Sequence, residues 1–194
     1  MDWQIALSEP RYLGGAAAGL LILVLAIGWW RRRRRAHPLR RLRAVALELL
    51  QDIVIPDGDG GQLHIECALL TPAGVLLIDL RDVEGHVFGS TAMQDWTVLA
   101  DRRRFTFANP QHAMLDRVAA VKRLLPDNEI RGLVVFTPRE RFTKGLPEHV
   151  AELDTRSAEL RRDASAPEAV GLREAWDRLR SEAVTAQVGR LIDN

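Results

Sequence analysis

The sequence lacks several features on which common kinds of site depend. It has one cysteine, Cys67, which excludes an internal disulfide and is typical of a reducing compartment. His86, His112 and His149 lie far apart, without the spacing of zinc ligands. The sequence also has no P-loop, no dinucleotide-binding fingerprint and no nucleophile elbow. These absences argue against a zinc centre, a nucleotide-binding enzyme of those classes and a serine hydrolase.

Net charge is also nearly absent. The 27 Lys and Arg residues against 26 Asp and Glu residues leave a formal charge of +1, which gives no global attraction for a polyanion. Locally, eight arginines fall between Arg31 and Arg43. A hydrophobic share of 47% in 194 residues is typical of a folded chain with one domain of ordinary size and an appendage.

Residues 12–30 form a run of 19 residues without charge. As a helix this run would be about 28 Å long, close to the thickness of a bilayer's hydrocarbon core. Trp29 and Trp30 end it, and Arg31–Arg35 follow directly. By the positive-inside rule we expect a single-pass inner-membrane protein, with residues 1–11 outside and the rest cytoplasmic. The alternatives are a cleaved signal peptide, whose charge would precede the apolar run, and an arginine run that binds nucleic acid rather than lipid.

After the basic segment at 31–37, the pattern predicts an α/β or α+β domain built around one mixed sheet. An amphipathic helix is expected from Pro38 to Gln51, and a second helix after Asn109, which suits an N-cap. Strands are expected at residues 52–56, 62–70, 74–81, 85–90, 96–99, 102–107 and 130–136. We take residues 38–155 as the domain and 156–194 as a C-terminal helical segment.

Two carboxylates are predicted to meet where the strands at 62–70 and 74–81 pair. If the intervening loop is symmetric, residues whose numbers sum to 145 face each other, so Glu66 lies opposite Asp79 and His64 lies opposite Arg81. Like charges directly opposite destabilise a sheet, so a positive group should lie between them. It is either Arg81, in a solvated lattice with His64, or a hard cation such as Mg²⁺. A three-residue loop would instead shift the register and separate the carboxylates.

The segment "DRRRFTF" at residues 101–107 interleaves basic and aromatic side chains. On a sheet, these side chains would contact phosphates and stack with bases. The alternative, which we prefer, is a polar hairpin tip followed by Phe105 and Phe107 turned into the core.

The order of several segments resembles the nuclease-related domain (NERD) family, whose fold is like that of the PD-(D/E)XK nucleases. The resemblance rests on "HIECALLTPAGVLLIDLRDVEGHVFG", Trp96, "NPQ" at Asn109–Gln111 with the helix after it, and "VVF" at Val134–Phe136. It covers about residues 40–155. It implies a restriction-endonuclease-like mixed sheet flanked by helices.

The resemblance also assigns site residues. It implies that Glu66 and Asp79 are ligands of Mg²⁺, that Arg81 takes the place of the family's lysine, and that Gln111 is an accessory polar contact. Arginine stays charged in proteins, so Arg81 would hold phosphate rather than activate water. The family's helix glutamate is replaced by Arg41 or Leu42. We therefore expect a membrane-anchored domain that binds nucleic acid or a protein partner with weakened or lost nuclease activity; the alternative is an active Mg²⁺-dependent nuclease that hydrolyses DNA.

Overall fold

The computed structural model describes Leu23 and residues 38–101, 103–137, 140–142, 145–163 and 165–192, without the side chains of 140 and 184–192. The chain divides into two units, Met1–Arg40 and Arg41–Asn194. The predicted membrane span at 12–30 and the basic segment at 31–37 lie outside the described residues, apart from Leu23. Within the described ranges, no helix is both long and apolar enough to cross a membrane.

The second unit has a mixed α/β architecture, as predicted. Its described strands are β1 (Glu48–Pro56), β2 (Gln62–Thr71), β3 (Gly74–Arg81), β4 (Gly85–Phe88), β5 (Asp95–Ala100), β6 (Arg103–Ala108), β7 (Ile130–Phe136), β8 (Glu140–Phe142) and β9 (Val150–Glu152). Its described helices are α1 (Pro110–Leu124), α2 (Leu153–Asp163) and α3 (Leu172–Ile192).

The strands form two mixed sheets, so the prediction of one sheet is wrong. The first sheet has the order β1-β2-β3-β7-β9, in which β1, β2 and β3 are antiparallel while β3, β7 and β9 are parallel. The second has the order β6-β5-β4-β8, with β8 parallel to β4. The strands β4, β5 and β6, which follow β3 in the chain, pair with each other and with β8. They therefore form a separate sheet and are not added to the first one.

A two-residue turn joins β2 to β3 and sets the register between them. Thr71 pairs with Gly74, and the pairing continues to Cys67 and Ile78, so the numbers of partners sum to 145 as predicted. Gly74 has a φ of 142°, and a Cβ there would lie 2.2 Å from the carbonyl oxygen of Glu129. This backbone conformation and this close approach both require glycine.

Helix α1 begins as predicted. The side chain of Asn109 accepts a hydrogen bond from the backbone N–H of Gln111 at 3.0 Å, and Pro110 occupies the first turn. The helix packs against β7, where Gly132 allows close approach. A Cβ at Gly132 would lie 2.6 Å from both Sδ of Met114 and Cγ2 of Val118.

The helix predicted from Pro38 to Gln51 ends early. Helical geometry stops at residue 43, and β1 begins at Glu48. Glu48 and its neighbours pair with β2, which shows tertiary pairing overriding a helical pattern of apolar residues. The Glu48 carboxylate also accepts a 2.9 Å hydrogen bond from Nε1 of Trp176, so β1 is joined to α3.

The core contains an aromatic group shared by the two sheets. Trp96 of β5 stacks on Phe136 of β7, with ring centroids 6.2 Å apart, and contacts Phe107 and Phe142 edge-on. Trp96 and Phe136 are fully buried. This packing confirms that Phe107 turns inward, whereas Phe105 remains 45% exposed.

Candidate functional site

Glu66 and Asp79 are brought together where β2 and β3 separate. The paired residues end at Cys67 and Ile78, and Glu66 and Asp79 follow on the two strands. Oε2 of Glu66 accepts the backbone N–H of Leu80 at 2.8 Å, and Cys67 and Ile78 face each other one position along the strand pair from the two carboxyl residues. The two side chains therefore share one face of the sheet, as their predicted register requires.

The pKa of Glu66 is raised above its ordinary value. Burial is the largest cause, and the charge of Asp79 acts in the same direction. The N–H of Leu80 and the charge of Arg81 oppose the rise.

Arg81 forms its ion pair with Asp79 rather than with Glu66. Its Nη2 donates to Oδ2 of Asp79 at 2.7 Å, two residues earlier on the same strand. The side chain of Arg81 is 38% exposed, so it faces solvent at this site. The β2–β3 pairing ends before His64 reaches its predicted place opposite Arg81, and Nε2 of His64 lies 3.4 Å from Asp52. The predicted lattice of charges is present, but with different partners.

Arg117 of α1 is a site residue that no pattern in the sequence indicates. Its Nη1 lies 3.6 Å from Oδ2 of Asp79, and its Nε donates to the carbonyl oxygen of His64 at 2.7 Å. The contact depends on how α1 crosses β2 and β3, and no local pattern encodes that crossing. Gly132 contributes to it, because it lets the helix turn that carries Met114 and Val118 approach β7.

Glu66, Asp79, Arg81 and Arg117 form a group that we call the charge cluster. With both carboxyls ionised, two negative and two positive groups balance; with one proton bound, the cluster carries one positive charge. Nε of Arg81 and Nη1 of Arg117 are buried and have no hydrogen-bond partner among the described residues. Guanidinium N–H groups of this kind bind carboxylate and phosphate oxygens, so the cluster has the chemistry of an anion site.

Two guanidinium groups beside the carboxylates of the charge cluster oppose the binding of a divalent cation there. Mg²⁺ takes oxygen ligands in octahedral geometry, and Oδ2 of Asp79 already accepts from Arg81. Across the part of the chain that the structure describes, no group of three or more His, Cys, Asp or Glu residues is placed to hold a metal. Of the two sources of positive charge that the sequence left open, Arg81 or Mg²⁺, the described residues show Arg81, joined by Arg117.

Gln111 is not hydrogen-bonded to the charge cluster. Its Nε2 donates to the carbonyl oxygen of Glu148 and lies 3.5 Å from Oγ1 of Thr91. The residue is 2% exposed, and its Oε1 has no partner among the described residues. Gln111 thus ties the start of α1 to two loops, whereas we expected an accessory contact at the site.

Thr137 fixes the end of β3 next to the charge cluster. Its backbone N–H donates to the carbonyl oxygen of Arg81 at 3.0 Å, and its Oγ1 donates to Asp82 at 2.8 Å. These two bonds hold the backbone that carries Arg81. Thr137 directly follows "VVF", which is part of the family resemblance. The sequence does not indicate these two hydrogen bonds.

Comparison with known protein families gives a match to the family described as nuclease-related domain (NERD), over residues 27–137. The matched range includes every member of the charge cluster and Gln111. Neither the curated proteins nor the solved structures include a match to this chain.

Proposed function

This chain belongs to the nuclease-related domain family, and we propose that its charge cluster binds nucleic acid through a phosphate group without cutting the strand. The observation that carries the proposal is the pair of guanidinium groups on Asp79, with Arg81 at 2.7 Å and Arg117 at 3.6 Å. A phosphate oxygen offers the same kind of acceptor as the Asp79 carboxylate. A phosphate would therefore compete with Asp79 for the two arginines.

The residues of the charge cluster argue against hydrolysis. Water must lose a proton to attack phosphorus, and a guanidinium group cannot take that proton at ordinary pH. One oxygen of Glu66, Oε2, already accepts the N–H of Leu80. A divalent cation would add charge to a cluster whose carboxylates are already compensated.

A membrane anchor at residues 12–30 is part of the same proposal. The uncharged run of 19 residues and the arginines at 31–35 support a single span in the inner membrane, with the domain on the cytoplasmic side near lipid headgroups. In spheroplasts, an added protease should remove a tag at the N-terminus and leave one at the C-terminus intact. The opposite result would refute this orientation.

A cleavage assay tests the proposal against the alternative, an active Mg²⁺-dependent nuclease. The full chain in detergent is incubated with labelled single-stranded and duplex DNA, in Mg²⁺ or Mn²⁺, beside Asp79→Ala and Arg81→Lys. We expect the parent to bind the labelled DNA and not to cleave it. Cleavage by Arg81→Lys alone would show that the arginine at this position, in place of the family's lysine, is what prevents hydrolysis.

Two results would contradict the proposal. Cleavage by the parent that Asp79→Ala abolishes would establish the nuclease. If the parent neither binds nor cleaves DNA, a protein partner becomes the remaining alternative.

A further inference from the structure

The second sheet has one face that no described element covers. Partners across its strands place Arg141, His86, Leu99 and Arg104 in one row, in the order β8, β4, β5, β6. Phe88, Thr97 and Thr106 form the adjacent row. We call these seven residues the outer face.

Burial separates the outer face from the opposite one. On the opposite face, Val87, Val98 and Trp96 are at most 1% exposed, because they pack against the shared aromatic core. On the outer face, His86, Arg104, Thr106 and Arg141 are exposed, and Leu99 is 41% exposed. The outer face is therefore a solvent-facing surface rather than a second core.

The outer face combines positively charged side chains with an aromatic and an aliphatic side chain. Arg104 and Arg141 are on the two edge strands, about 14 Å apart across three strand spacings. Half-buried Phe88 and exposed Leu99 lie between them. Asp95 shares this face, two residues from Thr97 or about 7 Å along β5, and about 13 Å from Leu99.

We propose that the outer face binds an unpaired nucleic-acid strand, with Arg104 and Arg141 at its phosphates and Phe88 under its bases. This inference rests on the proposed function, and it narrows the nucleic acid to single strands. A sheet that presents aromatic and aliphatic side chains between cations fits unstacked bases, whereas the base faces of a duplex are already stacked. Charge complementarity selects a polyanion over a neutral partner.

The chain connects the outer face to the charge cluster. Gly85 begins β4 four residues after Arg81, a separation of at most about 14 Å along the backbone. In this proposal, one strand of nucleic acid contacts both surfaces. The charge cluster would hold a single phosphate, and the outer face would hold the neighbouring nucleotides.

Fluorescence anisotropy of the full chain in detergent tests this inference. The probes are labelled oligothymidylate and a duplex of equal length, titrated over a series of salt concentrations. We expect Arg104→Ala/Arg141→Ala to weaken oligothymidylate binding about tenfold or more. The salt slope should fall by about 1.4, since each phosphate contact on a single strand contributes about 0.7. Phe88→Leu keeps the apolar volume but removes stacking, and we expect a loss of about tenfold.

The matched control is Arg161→Ala/Arg162→Ala, which removes the same charge from exposed positions at the end of α2. It should bind like the parent, and the thermal unfolding of every variant should match the parent. Parent-like binding by Arg104→Ala/Arg141→Ala, or equal losses in the control, would overturn the inference. Equal affinity of the parent for the duplex would overturn the preference for single strands.

Arg81→Ala separates this inference from the proposed function. If Arg81→Ala loses affinity and Arg104→Ala/Arg141→Ala does not, the charge cluster binds the strand and the outer face does not. If Arg104→Ala/Arg141→Ala loses affinity and Arg81→Ala does not, the outer face binds the strand and the proposed phosphate site at the charge cluster is refuted. Loss in both variants supports both.

Discussion

Arg117 of α1 and Asp79 of β3 lie with Nη1 and Oδ2 3.6 Å apart, although 38 positions separate them in the sequence. The same guanidinium group donates to the carbonyl oxygen of His64 at 2.7 Å. Arg117 therefore joins a helix to the ends of two strands at the point where those strands separate. Arg81 contacts the same oxygen of Asp79, with Nη2 at 2.7 Å.

Arg117→Leu should lower the free energy of unfolding by about 1–2 kcal/mol, because a hydrogen bond from a charged donor is lost and Asp79 keeps only one cation. Denaturant unfolding of the full chain measures the change. Arg131→Leu, at an exposed position on β7, is the control and should change stability by less than about 0.5 kcal/mol. Equal losses in the two variants would show that Arg117 has no structural role.

Glu66→Gln should stabilise the protein at neutral pH. Because the pKa of Glu66 is raised in the folded state from its ordinary 4.5, the folded protein binds more protons than the unfolded chain above about that pH. Glu66 therefore contributes to stability at low pH, and the contribution is lost as pH rises through the folded pKa. Glutamine removes the titrating group and keeps an oxygen that can accept the N–H of Leu80.

The measurement for Glu66→Gln is the melting temperature between about pH 4.5 and pH 8. The variant should exceed the parent by about 2 °C at the upper end and match it at the lower end. Glu174→Gln, at an exposed position, should show no such divergence. A difference that is constant with pH would mean that titration of Glu66 is not the cause.

Glu48→Ala should loosen α3 from β1. The Glu48 carboxylate accepts hydrogen bonds from Trp176 at 2.9 Å, from Arg173 at 3.2 Å and from Arg180. We expect a loss of about 1–2 kcal/mol, together with a red shift in tryptophan emission as buried Trp176 meets water. Glu174→Ala is the control on the same helix. An unchanged emission spectrum would show that packing alone holds α3.

Gly132→Ala should disturb the charge cluster from a distance. The added Cβ would lie 2.6 Å from Met114 and Val118, so α1 must move away from β7 at a cost of about 1–3 kcal/mol. Since Arg117 is the residue before Val118, its distance to Asp79 should grow. We expect lower stability and weaker oligonucleotide binding together. Lower stability with parent-like binding would separate Arg117 from the binding site.

The parts of the site that depend on local geometry could be predicted from the sequence. Thr71 and Gly74 enclose a two-residue turn, and that turn sets the register that brings Glu66 and Asp79 together. The N-cap at Asn109 is likewise a local signal. These features depend on residues within about fifteen positions of each other.

The remaining features depend on contacts between distant segments. Arg117 reaches Asp79 only because α1 packs on β7, and the pairing of β4 with β8 creates the second sheet. Glu48 belongs to a strand because β2 is available to pair with it. In each case the deciding partner is far along the chain, where periodicity and propensity carry no information about it.

The oligonucleotide affinity of Asp79→Asn, relative to the parent and measured in Mg²⁺, tests the central claim most directly. If Asp79 competes with phosphate for Arg81 and Arg117, removing its charge should tighten binding about threefold to tenfold. Weaker binding by Asp79→Asn would contradict the account, because it is the result expected if the carboxylate held a metal ion that recruits the strand.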